Sequence, residues 1–102
     1  MSDDIIKQIY EVALSRKNAD PKSSYVASLY AKGEDKILEK VGEEAIETIL
    51  AHKTGDRSQI VYETADMWFH SIVALAQKDI GVEAVLEELK SRFGKTGLRE
   101  KE

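Results

Sequence analysis

The chain has 102 residues, enough for one domain with a modest core. Its formal net charge is -4 with charged residues at 33%, a balance that argues against a general nucleic-acid binder, which needs a basic patch. Cysteine is absent, which excludes disulfides and thiolate metal sites and suits a reducing cytoplasm. The start, Met1-Ser2-Asp3-Asp4, lacks the basic stretch and apolar run of a signal peptide. No segment approaches the ~20 apolar residues of a membrane span, so no membrane association is expected.

Proline occurs once, at Pro21, and glycine is confined to a few positions. Such punctuation belongs to helices. Asp3 can cap a first helix running to about Arg16, with Ile5, Ile6, Ile9, Val12 and Ala13 as its apolar stripe. A polar loop from Lys17 to Ser23 follows. Ser23 or Ser24 can cap a short second helix through Ala31, which Gly33 ends. A third helix is expected from about Glu34 to Lys53, with Ile37, Leu38, Val41, Ala45 and Ile49 inward. Gly42 interrupts it at about 1 kcal/mol relative to Ala, which suggests close approach of a neighbour.

Gly55-Asp56 marks a tight turn, and Asp56 with Gln59 resembles a capping box. The fourth helix is expected from about Ser58 to Asp79, stopped by Gly81. Val61, Tyr62, Ala65, Trp68, Phe69, Ile72, Val73 and Ala76 give it a wide apolar face, with Trp68 and Phe69 expected in the core. A fifth helix, about Val82 to Phe93, turns Val85, Leu86 and Leu89 inward. Strand alternation is absent. The fold class expected is all-α: a bundle of about five helices over residues 1–94, completed by dimerisation, with a polar tail at 95–102. The short turn at Gly55 makes helices three and four antiparallel neighbours.

Two acid pairs carry the chemistry. Glu44-Ala45-Ile46-Glu47 and Glu63-Thr64-Ala65-Asp66 have i,i+3 spacing, which puts both carboxylates of a pair on one side of a helix. Like charges this close repel, so two facing pairs make chemical sense around a cation. Oxygen ligands suit Mg²⁺ or Mn²⁺. Lys36 and Lys40, one and two turns before the acids, could hold phosphates as point charges. This set suggests metal-assisted hydrolysis of a phosphoanhydride by water. The plainer reading stands beside it: acid pairs at this spacing are usually solvated surface, Lys36 can pair with Glu39, and Lys40 with Glu43 or Glu44. His70 reads as a core-edge or outer-shell residue rather than a ligand, and Tyr25 and Tyr30 as packing. Neither a P-loop, a Ser-His-Asp arrangement nor a zinc spacing is present.

The blocks Ser24-Tyr25, Lys32-Gly33-Glu34-Asp35-Lys36-Ile37 and Lys40-Val41-Gly42-Glu43-Glu44-Ala45-Ile46-Glu47 resemble the signature stretch of the phosphoribosyl-ATP pyrophosphatase family. Glu63-Thr64-Ala65-Asp66 with the following His70 is similar to its second motif, and Thr96-Gly97-Leu98-Arg99-Glu100-Lys101 to its usual ending. Lys95 stands before Thr96-Gly97 where relatives often have Ser before the Gly, a peripheral departure. The paired acids alone mark the broader all-α NTP pyrophosphatase (MazG-like) superfamily.

The resemblance implies cytoplasmic, Mg²⁺-dependent hydrolysis of phosphoribosyl-ATP to phosphoribosyl-AMP and pyrophosphate, in histidine biosynthesis, by a homodimer. It implies Glu44, Glu47, Glu63 and Asp66 as metal ligands, and Glu43 and Glu47 as catalytic acids that ligate or orient water. Lys32, Lys36 and Lys40 would bind substrate, the last two facing its phosphates. Two other readings stay open at this point: a housekeeping pyrophosphatase for noncanonical nucleotides, and a non-catalytic helical interaction module.

Overall fold

The computed structural model describes residues 2–93. It contains five helices: α1 (Ser2–Ser15), α2 (Tyr25–Lys32), α3 (Glu34–Thr54), α4 (Arg57–Gln77) and α5 (Val82–Phe93). No strand occurs among the described residues. The expected tail at 95–102, and with it the Thr96-Gly97 stretch, lies outside the described residues.

Local chemistry sets most of the boundaries. The Ser24 side chain accepts from the Ala27 N–H at 2.9 Å, so α2 opens on Tyr25. Gly33 then ends α2 and begins α3 with no loop between them. Its φ of +101° is a conformation that side chains with a Cβ rarely adopt, and its N–H reaches the carbonyls of Leu29 and Tyr30. Gly55, left-handed at φ +76°, closes α3, and the Asp56 carboxylate accepts from the Ser58 N–H at 3.1 Å to open α4. Two residues therefore join the long helices α3 and α4, which pack as an antiparallel hairpin.

Two boundaries differ from the sequence expectation. α1 begins at Ser2, so Asp3 falls inside the first turn rather than ahead of it. α4 ends at Gln77, well before Gly81. The reversal falls at Asp79, whose φ is +59°, and the Ile80 N–H reaches back to the Leu75 carbonyl at 3.0 Å. The Asp79 carboxylate also accepts from Lys17 Nζ at 2.7 Å, tying the end of α1 to this turn. A left-handed Asp backed by a local hydrogen bond does here what a glycine was expected to do.

The core gathers Tyr10 and Ala13 of α1, Val26 and Leu29 of α2, Ile37 of α3, Ile72, Val73 and Ala76 of α4, and Val82 of α5. Tyr30 adds a tie by donating its hydroxyl to the Ala13 carbonyl at 2.9 Å. Not every expected inward residue reaches this core. Leu38 and Ile49 of α3, Val61, Tyr62 and Trp68 of α4, and Leu89 of α5 are half-exposed or more, and Val85 of α5 is 41% exposed. Trp68, at 55% exposure, is a surface residue of an apolar groove of about 330 Å³ between α1, α4 and α5, whereas Phe69 packs on the core as expected. The apolar arc of α4 is wider than the neighbouring helices cover. Gly42 also departs from expectation. Beyond its chain neighbours and its own helix backbone, a Cβ placed there would meet no atom of the described residues within 4 Å.

Candidate functional site

The buried seam of α3 runs along Ile37, Glu44, Thr48 and Ala51, positions that share one face of the helix. Two of these four are polar. Thr48 bridges the hairpin: its hydroxyl donates to the Glu44 carbonyl at 2.7 Å and also lies 3.1 Å from the Glu63 carbonyl on α4. That bridge sets the register of the two helices. It brings the Glu44 level of α3 opposite Glu63 and Asp66 of α4.

Glu44 is 8% exposed, and its carboxyl is within hydrogen-bonding reach of both Asp66 and Glu63. Ligand atoms of Glu44, Asp66 and His70 all lie within 4.8 Å of one another, an arrangement able to hold a metal ion. Burial pushes the Glu44 carboxyl up to about 7, the hydrogen bond and charge of Asp66 push the same way, and Lys40 opposes them. An acid cluster this poorly offset inside a fold is the donor chemistry of a hard divalent cation. Glu47 stands one turn further along α3. With Glu63, Leu50, Ala51, Thr54 and Gln59 it lines a depression of about 160 Å³, so Glu63 borders both parts of the acid group.

The remaining expected residues lie on the polar side of α3 and at the end of α2. Lys40 Nζ stands 3.2 Å from Glu43 Oε1 and 3.6 Å from Glu44 Oε2, so its ammonium sits at the edge of the acids. The hydrogen bond from Lys40 lowers the Glu43 carboxyl, and Glu43 itself is exposed. Lys36 pairs with Glu39 at 3.5 Å. Lys32, also exposed, occupies the last turn of α2. The structure thus brings together Glu44, Glu63 and Asp66, with Glu47 and Lys40 at the margin. Glu43, Lys36 and Lys32 are not part of that cluster.

Two contributors escaped the sequence reading. Thr48 carries no acid or motif signal in the sequence, although it lies one turn after Glu44 on the same helical face. Tyr25 reads from the sequence as packing, yet its hydroxyl lies 2.8 Å from His70 Nε2. The other ring nitrogen, Nδ1, is 2.9 Å from the Asp66 carbonyl and 3.2 Å from its carboxylate Oδ1. A carbonyl only accepts, so Nδ1 carries the proton, and in the neutral imidazole Nε2 accepts from Tyr25. His70, 3% exposed, has both nitrogens engaged within the protein and sits edge-on to Phe69 and Tyr25.

An all-α hairpin that apposes Glu44 to Asp66 and Glu63 at a cation-ready cluster has the form of the all-α NTP pyrophosphatase (MazG-like) class of hydrolases. A sequence profile described as phosphoribosyl-ATP pyrophosphohydrolase matches residues 6–93. A phosphoribosyl-ATP pyrophosphatase of Geobacter sulfurreducens is 58% identical over 99 residues, spanning 97% of this chain and 92% of the relative. One of Geotalea daltonii is 51% identical over 102 residues, spanning 100% of this chain and 96% of the relative. One of Nitrosomonas eutropha is 50% identical over 100 residues, with 98% and 86% spanned. The chain belongs to the phosphoribosyl-ATP pyrophosphohydrolase family, and it is an enzyme, a hydrolase.

Proposed function

We propose that this protein hydrolyses phosphoribosyl-ATP to phosphoribosyl-AMP and pyrophosphate, an early step of histidine biosynthesis in the cytoplasm, and that it requires Mg²⁺. Family membership across nearly the whole chain supports the substrate. The observation that carries the chemistry is the buried Glu44 carboxyl set against Asp66 and Glu63. No helix among the described residues is long and apolar enough to cross a membrane, which is consistent with this setting.

Glu44, Glu47, Glu63 and Asp66 would hold the cation. A Mg²⁺ ion held by these carboxylates would offset carboxylate and phosphate charge and so favour attack by water at phosphorus. Lys40, already beside the acids, would exchange its partners Glu43 and Glu44 for phosphate oxygens, and Lys36 and Lys32 would extend that positive line. Glu43 and Glu47 would orient the attacking water. The water oxygen would bond to phosphorus as its proton passes to the carboxylate that orients it, the anhydride P–O bond would break, and the electron pair would leave with pyrophosphate.

The working unit in this proposal is a homodimer. Ile46, Ile49 and Leu50 of α3 and Val61 and Tyr62 of α4 are all more than half exposed, and they stand at the level of the Thr48–Glu63 bridge. So many exposed apolar side chains in a small domain suit burial against a second copy. The deciding experiment measures pyrophosphate release from phosphoribosyl-ATP with and without Mg²⁺. Release that depends on Mg²⁺ is expected. No release from this substrate, with turnover of noncanonical nucleoside triphosphates instead, would replace this reading by that of a housekeeping pyrophosphatase.

A further inference from the structure

We propose that His70 is a positioning residue for the cation site rather than one of its ligands, and that Tyr25 fixes it in that role. The inference rests on the cation reading above and adds two residues to it. By distance alone His70 belongs to the cluster, since its ligand atom lies within 4.8 Å of those of Glu44 and Asp66. Its hydrogen bonds assign it otherwise. A histidine binds a cation through an unprotonated nitrogen. Nδ1 is protonated because its partner at 2.9 Å is the Asp66 carbonyl oxygen. In the neutral ring Nε2 holds the lone pair, but Tyr25 Oη covers it at 2.8 Å. Ligation by either nitrogen would break a bond inside a pocket where the ring is 3% exposed.

The same bonds do something for Asp66. The Nδ1–H that meets its carbonyl also lies 3.2 Å from its carboxylate Oδ1, so the imidazole restrains the side chain that faces Glu44. Tyr25 is the first residue of α2, placed by the Ser24 cap, and its ring stacks on Phe69 at 6.4 Å. The chain Tyr25–His70–Asp66 therefore carries the position of α2 to an acid on α4. Groups that orient a ligand in this way govern cation affinity without touching the ion.

Calorimetric titration with Mg²⁺ and, separately, Zn²⁺ tests the assignment on the wild type, Tyr25→Phe, His70→Ala and His70→Asn. The Asn amide nitrogen can stand where Nδ1 stands and donate to Asp66, while nothing replaces Nε2. Expected is a loss of about 10- to 100-fold in Mg²⁺ affinity for His70→Ala, of the size seen when orienting groups are removed, with much of it recovered in His70→Asn. Tyr25→Phe, which keeps the ring and loses only the hydroxyl, should also bind Mg²⁺ more weakly. The losses should be similar for Zn²⁺. Metal-free thermal melts of each variant establish that it is folded, and Tyr25→Phe keeps the test decisive if His70→Ala does not fold. Tyr25→Phe binding Mg²⁺ as tightly as wild type or more tightly would overturn the proposal, because uncovering Nε2 should help a true ligand. So would His70→Asn no better than His70→Ala, or a loss confined to Zn²⁺, the cation that prefers imidazole. A wild type that binds neither cation overturns the cation site itself and this assignment with it. A wild type that binds Mg²⁺ beside variants that bind equally well overturns this assignment alone.

Discussion

The Thr48 hydroxyl reaches the Glu63 carbonyl across the α3–α4 hairpin at 3.1 Å, one turn from the buried Glu44 carboxyl. One side chain on α3 thus fixes the height at which two acids of α4 face their counterparts. Thr48→Val keeps the shape and removes the hydroxyl. We predict a loss of about 1 kcal/mol in stability, the usual net worth of one hydrogen bond. Urea denaturation reads it, and Thr48→Ser should recover part of the loss. An unchanged midpoint for Thr48→Val would mean that the bridge adds nothing to stability.

A second prediction concerns pH. The Glu44 carboxyl is raised to about 7, mainly by burial, from the 4.5 of an ordinary glutamate. Between those values the folded chain keeps a proton that the unfolded chain has released. Its contribution to stability is therefore fully present below about pH 4.5 and is lost as pH rises through about 7. Mg²⁺ competes with that proton, so the upward shift in melting temperature on adding millimolar Mg²⁺ should be larger at pH 8 than at pH 6. Melts at both pH values, with and without Mg²⁺, check this. A shift of equal size at the two would uncouple Glu44 from the cation.

Glu47→Gln is nearly isosteric and removes one charge from the rim of the acid group. Turnover of phosphoribosyl-ATP at saturating Mg²⁺ should fall about 10²-fold or more, as in other losses of a single electrostatic partner. Helicity by circular dichroism should be unchanged. A folded variant with wild-type turnover would leave Glu47 as a solvated surface residue.

Gly42→Ala should raise stability by about 1 kcal/mol, because an exposed helix interior favours Ala over Gly and no neighbour obstructs the added methyl. The denaturant midpoint reports it. A fall in stability would reveal a neighbour supplied by a second subunit.

The proposed homodimer is testable on its exposed apolar side chains. Ile49→Glu places a charge among the exposed apolar side chains of α3 and Tyr62→Lys does so on α4. Sedimentation should show a dimer for the wild type at micromolar concentration and a shift toward monomer for both variants. A wild type that sediments as an active monomer ends the dimer proposal.

What could be read from the chain followed the range of the forces involved. Ser24, Gly33, Gly55 and Asp56 act on their own backbone within a few residues, so their turns and caps could be placed from sequence. The inward face of α3 could not. Its most apolar arc includes Leu38 and Ile49, yet the packed seam passes through Glu44 and Thr48, because the neighbour that decides burial is α4 and not the helix itself. Trp68 misled for the same reason, as its face of α4 lies beyond what α5 covers. The acid pairs were legible as a pattern, and their apposition followed from the short turn. Tyr25 and His70 are separated by 45 residues, and no local signal relates them.

From Tyr25 to Gln77 the backbone leaves helix only at Gly33, Gly55 and Asp56. A single residue, Gly33, serves as the whole joint between α2 and α3. Each residue of helix advances the direction of a side chain by about 100°. One residue inserted or deleted at that joint would therefore swing α3 round its axis relative to α2, and the hydroxyl of Tyr25 would point away from the imidazole it now meets. Over this stretch the enzyme should be intolerant of changes in length even where it could accept changes in side chain. Insertions and deletions among its relatives should therefore fall in the loop from Arg16 to Ser24 or at the chain ends.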